Sequence, residues 1–192
     1  MISVGYLAKR VAPCPAWLKA PAVKDIYSVS SCTSENFMEY IKFWRHNGYW
    51  FFDSSQIIQE LARENSLDLE GITFFYYEVY EKEFDAEQKE WLSFEPESFP
   101  TNIIQPVKRE FHGYDVVTFS VGTNPECSPL SCNHLASEIN TNSHCLFESF
   151  EEAKRNLEVG KFDKSEPGPF RIFAVYTTDP ENWLDQSLIL DE

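Results

Sequence analysis

Apolar residues recur at helical spacing in four stretches of the chain, which predicts four helices with one buried face each. Between 35 and 46 they fall at Phe37, Tyr40, Ile41 and Trp44, which is the i, i+3, i+4, i+7 spacing of an amphipathic helix. The same reasoning predicts three further helices, at 55–65, 129–139 and 149–160.

Short apolar runs between these stretches predict β-strands. The predicted strands lie at 26–34, 48–54, 72–80, 144–149 and 170–176, with a further one beginning at 118. The runs are nearly continuous, and 72–80 carries aromatic residues on both faces. Strands of this kind are typical of a sheet that other structure covers.

The order of predicted elements repeats when the second half of the chain is aligned with the first, which predicts an internal duplication. Segment 26–34 aligns with 118–129, where Ser28 and Val29 correspond to Ser120 and Val121. From Cys32 onwards the matched residues lie 95 positions apart, as in the pairs Cys32/Cys127, Asn47/Asn142, Phe52/Phe147 and Ser54/Ser149. The last predicted strands align with one more residue of slippage, Val79 on Val175.

The repeated order predicts an α/β fold of two tandem β-α-β-α-β pseudo-repeats packed as one globule. An α+β arrangement with a mixed sheet is the alternative, because the order of strand pairing is not visible in sequence. The first pseudo-repeat, with an N-terminal arm, spans 1–80, an acidic aromatic connector spans 81–110, and the second pseudo-repeat spans 111–192. Together they are expected to form one compact domain. The arm holds four basic residues and no acidic one in positions 1–24, so we expect it to lie across the connector.

Composition narrows the classes of function. The 192 residues carry a net charge of −15, so a nucleic acid backbone or an anionic membrane surface would be repelled. Aromatic residues are frequent, with 5 Trp, 9 Tyr and 16 Phe, whereas only 7 Gly are present, which favours packed side chains over a phosphate-binding loop. No phosphate loop, dinucleotide fingerprint, zinc-protease helix or serine nucleophile elbow occurs in the sequence.

The cysteines and the absence of long apolar stretches predict a soluble cytoplasmic protein without a signal peptide. Five cysteines are an odd number in a chain long enough to build its core without disulfides, so reduced thiols are expected. A chain that already contains its own pseudo-dimer is expected to be a monomer or a weak homodimer.

Cysteine and histidine are concentrated in the second half, in the spacing C-x4-C-x-H-x9-H-C. The cluster consists of Cys127, Cys132, His134, His144 and Cys145. Thiolate and imidazole groups suit zinc. However, adjacent side chains on a strand point to opposite faces, and Cys132 and Cys145 align with apolar Phe37 and Trp50. Packing is therefore favoured over metal binding. No cofactor is predicted, and zinc at Cys127, Cys132, His134 and His144 is the open alternative.

Cys32 and Cys127 each follow a predicted strand and precede a predicted helix. Unsatisfied N–H groups at a helix start stabilise a thiolate, so these positions are candidates for a nucleophile. His134 or His144 would be the corresponding base. Cys32, Cys127, His134 and His144 are therefore the candidate catalytic residues, although packed thiols beside a serine are common without function.

The connector combines aromatic side chains with acidic ones, a composition typical of protein-binding surfaces. The candidate partner-binding residues are Phe84, Glu87, Glu90, Trp91 and Phe94. The negative field would attract a basic protein and speed its encounter. The alternative is a solvated loop whose aromatic residues cover an edge of the sheet.

The segments PECSPLSCN, HCLFESFEEA and EPGPFRIFAVY, at 125–133, 144–153 and 166–176, resemble a set of uncharacterised bacterial proteins known only as hypothetical. This resemblance implies a bacterial cytoplasmic protein and supplies no activity. The acidic, aromatic-rich composition is also loosely similar to that of immunity proteins that neutralise polymorphic toxins, and no binding residues follow from that similarity.

Taken together, these features predict a non-enzymatic protein-binding module, such as an inhibitor or an immunity-type protein, that acts on a basic partner. The alternative is a small cysteine-dependent or metal-binding enzyme or ligand-binding protein. Its site would lie near Cys32 and Cys127, or at the cluster between Cys127 and Cys145.

Overall fold

The computed structural model describes residues 1–33, 35–36, 45–122 and 124–180. The strands are β1 (Ile2–Arg10), β2 (Ala12–Pro13), β3 (Asp25–Ile26), β4 (Glu35–Asn36), β5 (Thr73–Val79), β6 (Lys82–Asp85), β7 (Glu90–Ser93), β8 (Glu110–Thr118) and β9 (Phe170–Thr178). The helices are α1 (Ser55–Glu64), α2 (Pro129–Cys132), a 3-10 turn (Leu135–Ser137) and α3 (Phe150–Glu158). No helix in these ranges combines the length and the apolar character needed to cross a bilayer.

Four long strands form the centre of the sheet, in the order β1, β5, β9, β8. Strand β4 pairs with β1, and the β6–β7 hairpin joins β9 through one pair, Phe84 with Phe170. All of the described strand pairs are antiparallel. The molecule is thus a sheet-rich combination of strands and helices, and the parallel pairs implied by an α/β sheet are not among those described.

The central strands form because their apolar side chains are buried on both faces. Phe75, Tyr76 and Tyr77 of β5 have no exposed surface. Phe51 packs against Tyr77 and Phe173, with ring centroids 5.2 and 5.9 Å apart. Aromatic side chains therefore supply much of the core, as the composition predicts.

Helices α1 and α3 begin in the same way and lie within the predicted ranges. Ser54 and Ser149 are their N-caps, and each side-chain oxygen accepts a hydrogen bond from a backbone N–H three residues later. Ile58 and Leu61 of α1 are buried, as is Leu157 of α3. The predicted helix at 129–139 is instead the short α2 followed by the 3-10 turn.

Asn47 and Asn142 organise two loops with the same set of hydrogen bonds. The Nδ2 of Asn47 donates to the carbonyl oxygen of Val4 at 2.9 Å, and the Nδ2 of Asn142 donates to that of His112 at 2.6 Å. Each side-chain Oδ1 accepts N–H groups from the residues two and four positions later. The residue three positions after each Asn, Trp50 or Cys145, has a positive φ, of 65° and 63°.

A β-bulge lies beside each of these loops. The register shifts between Ser3 and Gly5 in β1, and between Phe111 and Gly113 in β8. A Cβ atom on either glycine would lie within 2.6 Å of a loop carbonyl oxygen, so only glycine lets these strands approach the loops.

The predicted strands at 48–54 and 144–149 are therefore loops. The asparagine side chains take the N–H groups that a strand would give to its neighbour. Single bridges remain, Phe52 with Tyr6 and Phe147 with Tyr114.

Three other elements differ from the predictions. Residues 2–10 are a strand of the main sheet rather than part of an arm across the connector. The connector contains the β6–β7 hairpin. Of the predicted helix at 35–46, Glu35–Asn36 is strand β4, and 37–44 lies outside the described residues.

Of the strand predicted at 26–34, only Ile26 belongs to β3, residues 27–33 form a loop, and Ser34 lies outside the described residues. The backbone groups of 28–30 bond to buried side chains of β1, β8 and the 126–132 segment rather than to a strand. Its predicted counterpart at 118 is the end of β8, whose Thr118 forms a bridge with Cys127. The strands to which the Asn47 and Asn142 side chains bond are thus β1 and β8.

Candidate thiol centre

Three cysteines from two distant segments of the chain converge beside the end of β8. Cys32 lies in the loop after β3, Cys127 bridges to the end of β8, and Cys132 is the last residue of α2. Their Sγ atoms all lie within 4.8 Å of one another. We call this group the thiol centre.

Each sulfur has a distinct environment within the thiol centre. Cys32 is an exposed residue, and its thiol donates to the carbonyl oxygen of Glu126 at 3.3 Å. The thiol of Cys127 is buried and donates to Oδ1 of Asn133 at 3.1 Å. The Sγ of Cys132 lies 3.6 Å from the hydroxyl of Ser30. The centre thus has one side open to solvent and one side set against polar protein groups.

Reciprocal hydrogen bonds join the two loops that carry the cysteines. The N–H of Ser30 donates to Oγ of Ser128 at 3.2 Å, and the N–H of Ser128 donates to Oγ of Ser30 at 3.1 Å. Asp115, from β8, holds both loops, because its Oδ2 accepts the N–H of Val29 at 2.7 Å and the hydroxyl of Ser128 at 2.6 Å. These contacts fix the distance between Cys32 and the other two sulfurs.

Lys9 lies beneath the first of these loops and is 2% exposed. Its Nζ donates to the carbonyl oxygens of Ser28, Val29 and Ser30. Burial lowers the pKa of Lys9 from 10.5 to about 7, and the negative charge of nearby Asp115 opposes this change. The ammonium group therefore depends on anionic neighbours to stay protonated.

Asp115 is fully buried, and its protonation is sensitive to its surroundings. Burial raises the pKa of Asp115 from 3.8 to about 6, while hydrogen bonds from Ser128 and Val29 and the charge of Lys9 oppose the rise. Among the described residues, Oδ1 of Asp115 and the hydroxyl of Tyr77 are buried without a hydrogen-bond partner. This interior therefore carries polar groups that packing alone does not explain.

The three thiols share their protons unequally. Hydrogen bonds from Cys127 and Cys132 lower the pKa of Cys32 well below its ordinary value. The pKa of Cys127 is raised, because the hydrogen bonds with Cys132 and Cys32 hold its proton. Of the three thiols, Cys32 is thus the one that loses its proton most readily.

The spacing of the sulfur atoms is close to that of a metal-thiolate site. Zinc–sulfur bonds of about 2.3 Å in a tetrahedron place sulfur atoms roughly 3.8 Å apart, so a contraction of an ångström or less would let all three sulfurs bind one ion. Oδ1 of Asn133 accepts a hydrogen bond from the Cys127 thiol, and Nδ2 of Asn133 donates one to Oε1 of Glu166 at 3.0 Å. Such an outer layer of hydrogen bonds orients a metal ligand.

The structure brings together three of the predicted site residues, Cys32, Cys127 and Cys132, and separates both histidines from them. Within the described ranges, these three cysteines form the one group of three or more metal-ligating side chains whose ligand atoms lie within 4.8 Å of one another. His134 packs against Trp17, with ring centroids 4.6 Å apart.

His144 belongs to a different polar cluster. Its Nδ1 lies 2.5 Å from Oδ1 of Asp25, and its ring stacks on Tyr27 at 4.1 Å. His112 contacts the same tyrosine, and the Nε2 of His112 lies 2.7 Å from the Thr177 hydroxyl beside a cavity of about 550 Å³. His144 is thus bonded to a carboxylate rather than to a cysteine. Cys145 is a buried core residue, as its apolar counterpart predicts.

Sequence reasoning missed the residues that support the thiol centre. Lys9 interrupts the apolar run ISVGYLAKR, and Asp115 interrupts the apolar run YDVVTF. A charged residue within an apolar run was the signal that could have identified both. A charged residue inside a buried strand requires partners, so it points to a polar interior.

The candidate partner-binding residues are divided between core and surface. Phe84 is 1% exposed and belongs to the core, so it offers no surface to a partner. The ring of Phe94 is covered by the guanidinium of Arg171 at 3.8 Å. Trp91 is half-buried against Phe84, whereas Glu87 and Glu90 are exposed.

No protein-family model, curated protein or solved structure matches this chain. A role for the thiol centre therefore has to be inferred from its own geometry and charge.

Proposed function

We propose that the thiol centre binds one thiophilic divalent cation, with zinc as the reference ion. The observation that carries the proposal is the convergence of three sulfur atoms within 4.8 Å of one another, with Cys32 from one loop and Cys127 and Cys132 from a second segment far along the chain. Cysteines that are only packed in a core have no reason to place their sulfurs together. Sulfur is a ligand that zinc and other soft metals prefer.

The charge of the surrounding protein supports a divalent ion. Three thiolates and one divalent cation carry a net charge of −1, and the ammonium group of Lys9 lies beneath the loop of Cys32. A buried charge needs a compensating partner. Lys9 would supply a positive charge that the metal-thiolate complex shares with Asp115.

The exposed position of Cys32 supports an open site. Three protein ligands leave the fourth position of a tetrahedron for water or an external ligand, which is the arrangement of sites that exchange ligands. The proposed function is thus metal-dependent ligand binding at the end of the sheet.

Metal titration of the reduced protein tests this function. We expect one zinc ion per chain, measured by competition with a chromophoric chelator. Co²⁺ should give the sulfur-to-metal charge-transfer absorption of a thiolate site. Cys32→Ser, Cys127→Ser and Cys132→Ser should each weaken binding by more than about 100-fold, because each removes a ligand.

Cys145→Ser is the matched control, since it removes a buried thiol outside the centre. Circular dichroism of each metal-free variant checks that the fold is retained. Equal zinc affinity in the wild type and in folded Cys127→Ser would contradict the proposal, as would a loss of affinity in Cys145→Ser.

A second candidate function is binding of a basic protein at the acidic hairpin, residues 82–93. Strand β7 pairs with β6 alone among the described strands, so its other edge is available for strand addition. Glu87 and Glu90 are exposed, and Leu92 beside them is 38% exposed. A strand that alternates basic and apolar residues would match this edge.

A peptide of alternating lysine and valine is the probe for this candidate. We expect its binding to shift the backbone NMR signals of Glu90–Ser93 and to weaken as salt increases. Glu87→Lys with Glu90→Lys should abolish binding, whereas an alternating glutamate and valine peptide should not bind. Binding that is unchanged by salt and by the double charge reversal would contradict this candidate.

We further propose that the two halves are copies of one strand-loop-helix-strand unit. Three equivalences support this description: the Asn47 and Asn142 loops, the bulges at Gly5 and Gly113, and the N-caps Ser54 and Ser149. In this description the copies begin with β1 and β8. The thiol centre then forms where loops of the two copies meet.

A further inference from the structure

The three sulfurs of the thiol centre differ in their access to solvent. Cys32 is exposed, Cys132 is half-buried, and Cys127 is 9% exposed. A small oxidant in solution therefore meets Cys32 first. Reaction of cysteine with such oxidants follows exposure and thiolate character.

A second thiol lies within reach of Cys32. The Sγ of Cys127 is within 4.8 Å of the Sγ of Cys32, and Cys32 also contacts the carbonyl oxygen of the adjacent Glu126. A disulfide requires a sulfur–sulfur distance of about 2.05 Å, which rotation of the exposed Cys32 side chain can approach without separating the loops. Cys127 directly follows Glu126 in the chain, whereas Cys132 lies further along. We therefore take Cys127, rather than Cys132, as the partner of the Cys32 sulfur.

We propose that Cys32 is a site of oxidation by hydroperoxides and that Cys127 resolves the product as an intramolecular disulfide. The consequence for the metal rests on the function proposed above. A disulfide between Cys32 and Cys127 leaves Cys132 as the one free thiol of the centre, so oxidation would release the ion.

The chemistry balances with hydrogen peroxide as the named oxidant. The Cys32 thiolate attacks one peroxide oxygen, the O–O bond breaks, and the products are a sulfenic acid and hydroxide. The Cys127 sulfur then attacks the Cys32 sulfenic sulfur, an S–S bond forms, and the hydroxyl leaves as water with the proton of the thiol. Two thiols are oxidised, and one peroxide is reduced to two waters once the hydroxide takes up a proton.

The disulfide would join segments that hydrogen bonds alone hold together in the reduced protein. The reciprocal Ser30 and Ser128 contacts already position the two loops. These contacts hold the two loops where the Sγ atoms lie within 4.8 Å of one another, and a reductant can reverse the disulfide.

The test treats zinc-loaded and metal-free protein with hydrogen peroxide and follows two readouts. Mass spectrometry should show the loss of two hydrogens per chain, and peptide mapping should place the disulfide at Cys32 and Cys127. Zinc release to a chromophoric chelator should rise in step with the disulfide. Dithiothreitol should restore both thiols and zinc binding.

Variants separate this mechanism from general oxidation. Cys32→Ser cannot form the Cys32–Cys127 disulfide, and hydrogen peroxide should oxidise its remaining thiols at least about tenfold more slowly, because the exposed nucleophile is gone. Cys14→Ser and Cys145→Ser, which lack thiols outside the centre, should react at the wild-type rate. Oxidation that maps to Cys14 or Cys145, a disulfide to Cys132, or an unchanged rate in Cys32→Ser would overturn the inference.

The metal-free arm distinguishes the two proposals. If the chain binds no zinc but still forms the Cys32–Cys127 disulfide, the proposed function fails and the oxidation site stands. If zinc binds and peroxide yields no such disulfide, the oxidation site fails and the proposed function stands.

Discussion

Lys9 and Asp115 show how single residues shape the thiol centre without touching a metal. Lys9 binds three carbonyl groups of the 28–30 segment, and Asp115 accepts an N–H from the same segment. A strand cannot form there, because its polar backbone groups are already bonded. The loop that results carries Cys32 to the other two cysteines.

Asp115→Asn tests the burial of this carboxyl group through the pH dependence of stability. The raised pKa means that folded Asp115 keeps its proton between pH 3.8 and about 6, where the unfolded chain has lost it. Wild-type stability should therefore fall, relative to the variant, by up to about 3 kcal/mol as pH rises through that window. Urea unfolding of the metal-free proteins at pH 4 to 7 measures the difference.

Asp179→Asn is the control for this experiment, because it removes an exposed carboxyl group outside the buried interior. A stability difference between wild type and Asp115→Asn that stays constant over the window would show that this carboxyl is not desolvated. A difference that changes in the opposite direction would show that a cation controls it.

At the scale of elements, the Asn47 and Asn142 loops hold the two bulged strands in place. Each side chain bonds three backbone groups that have no other described partner in the sheet. The bulges at Gly5 and Gly113 allow the loop carbonyls to approach. The loops therefore replace ladder pairs with side-chain contacts.

Asn47→Ala and Asn142→Ala should destabilise the protein by similar amounts, about 2 to 4 kcal/mol each, because each leaves buried backbone groups unbonded. Urea unfolding measures the change. Asn140→Ala is the matched control and should stay within about 0.5 kcal/mol, because Asn140 is exposed. A small effect at one position and a large one at the other would contradict the equivalence of the loops.

The success of sequence reasoning also differs between elements. Helices α1 and α3 and strands β5 and β9 were predictable, because burial gives them a clear apolar pattern. The loops at 48–54 and 144–149 were mistaken for strands, because their apolar residues fill the core while asparagine side chains hold the backbone. Apolar character reports burial and does not report backbone conformation.

At the scale of the whole molecule, the features that could not be predicted from the sequence are those that depend on contacts between residues far apart in the chain. Cys32 and Cys127 were aligned as equivalent positions and named together as candidate nucleophiles, whereas Cys132 was a candidate in a different set for which packing was favoured over metal binding. Their meeting depends on Lys9, Asp115 and the central strand order, which local patterns do not contain. The antiparallel sheet likewise follows from long-range pairing.

The junction of Ser30 with Ser128 connects loops that lie 98 residues apart. The chain must therefore be synthesised as far as Cys132 before Cys32 can meet both of the other cysteines. A growing chain would expose Cys32 as an isolated thiol, and only the completed fold would gather the sulfurs. The reactivity of the Cys32 thiol would thus report whether an individual molecule has finished folding.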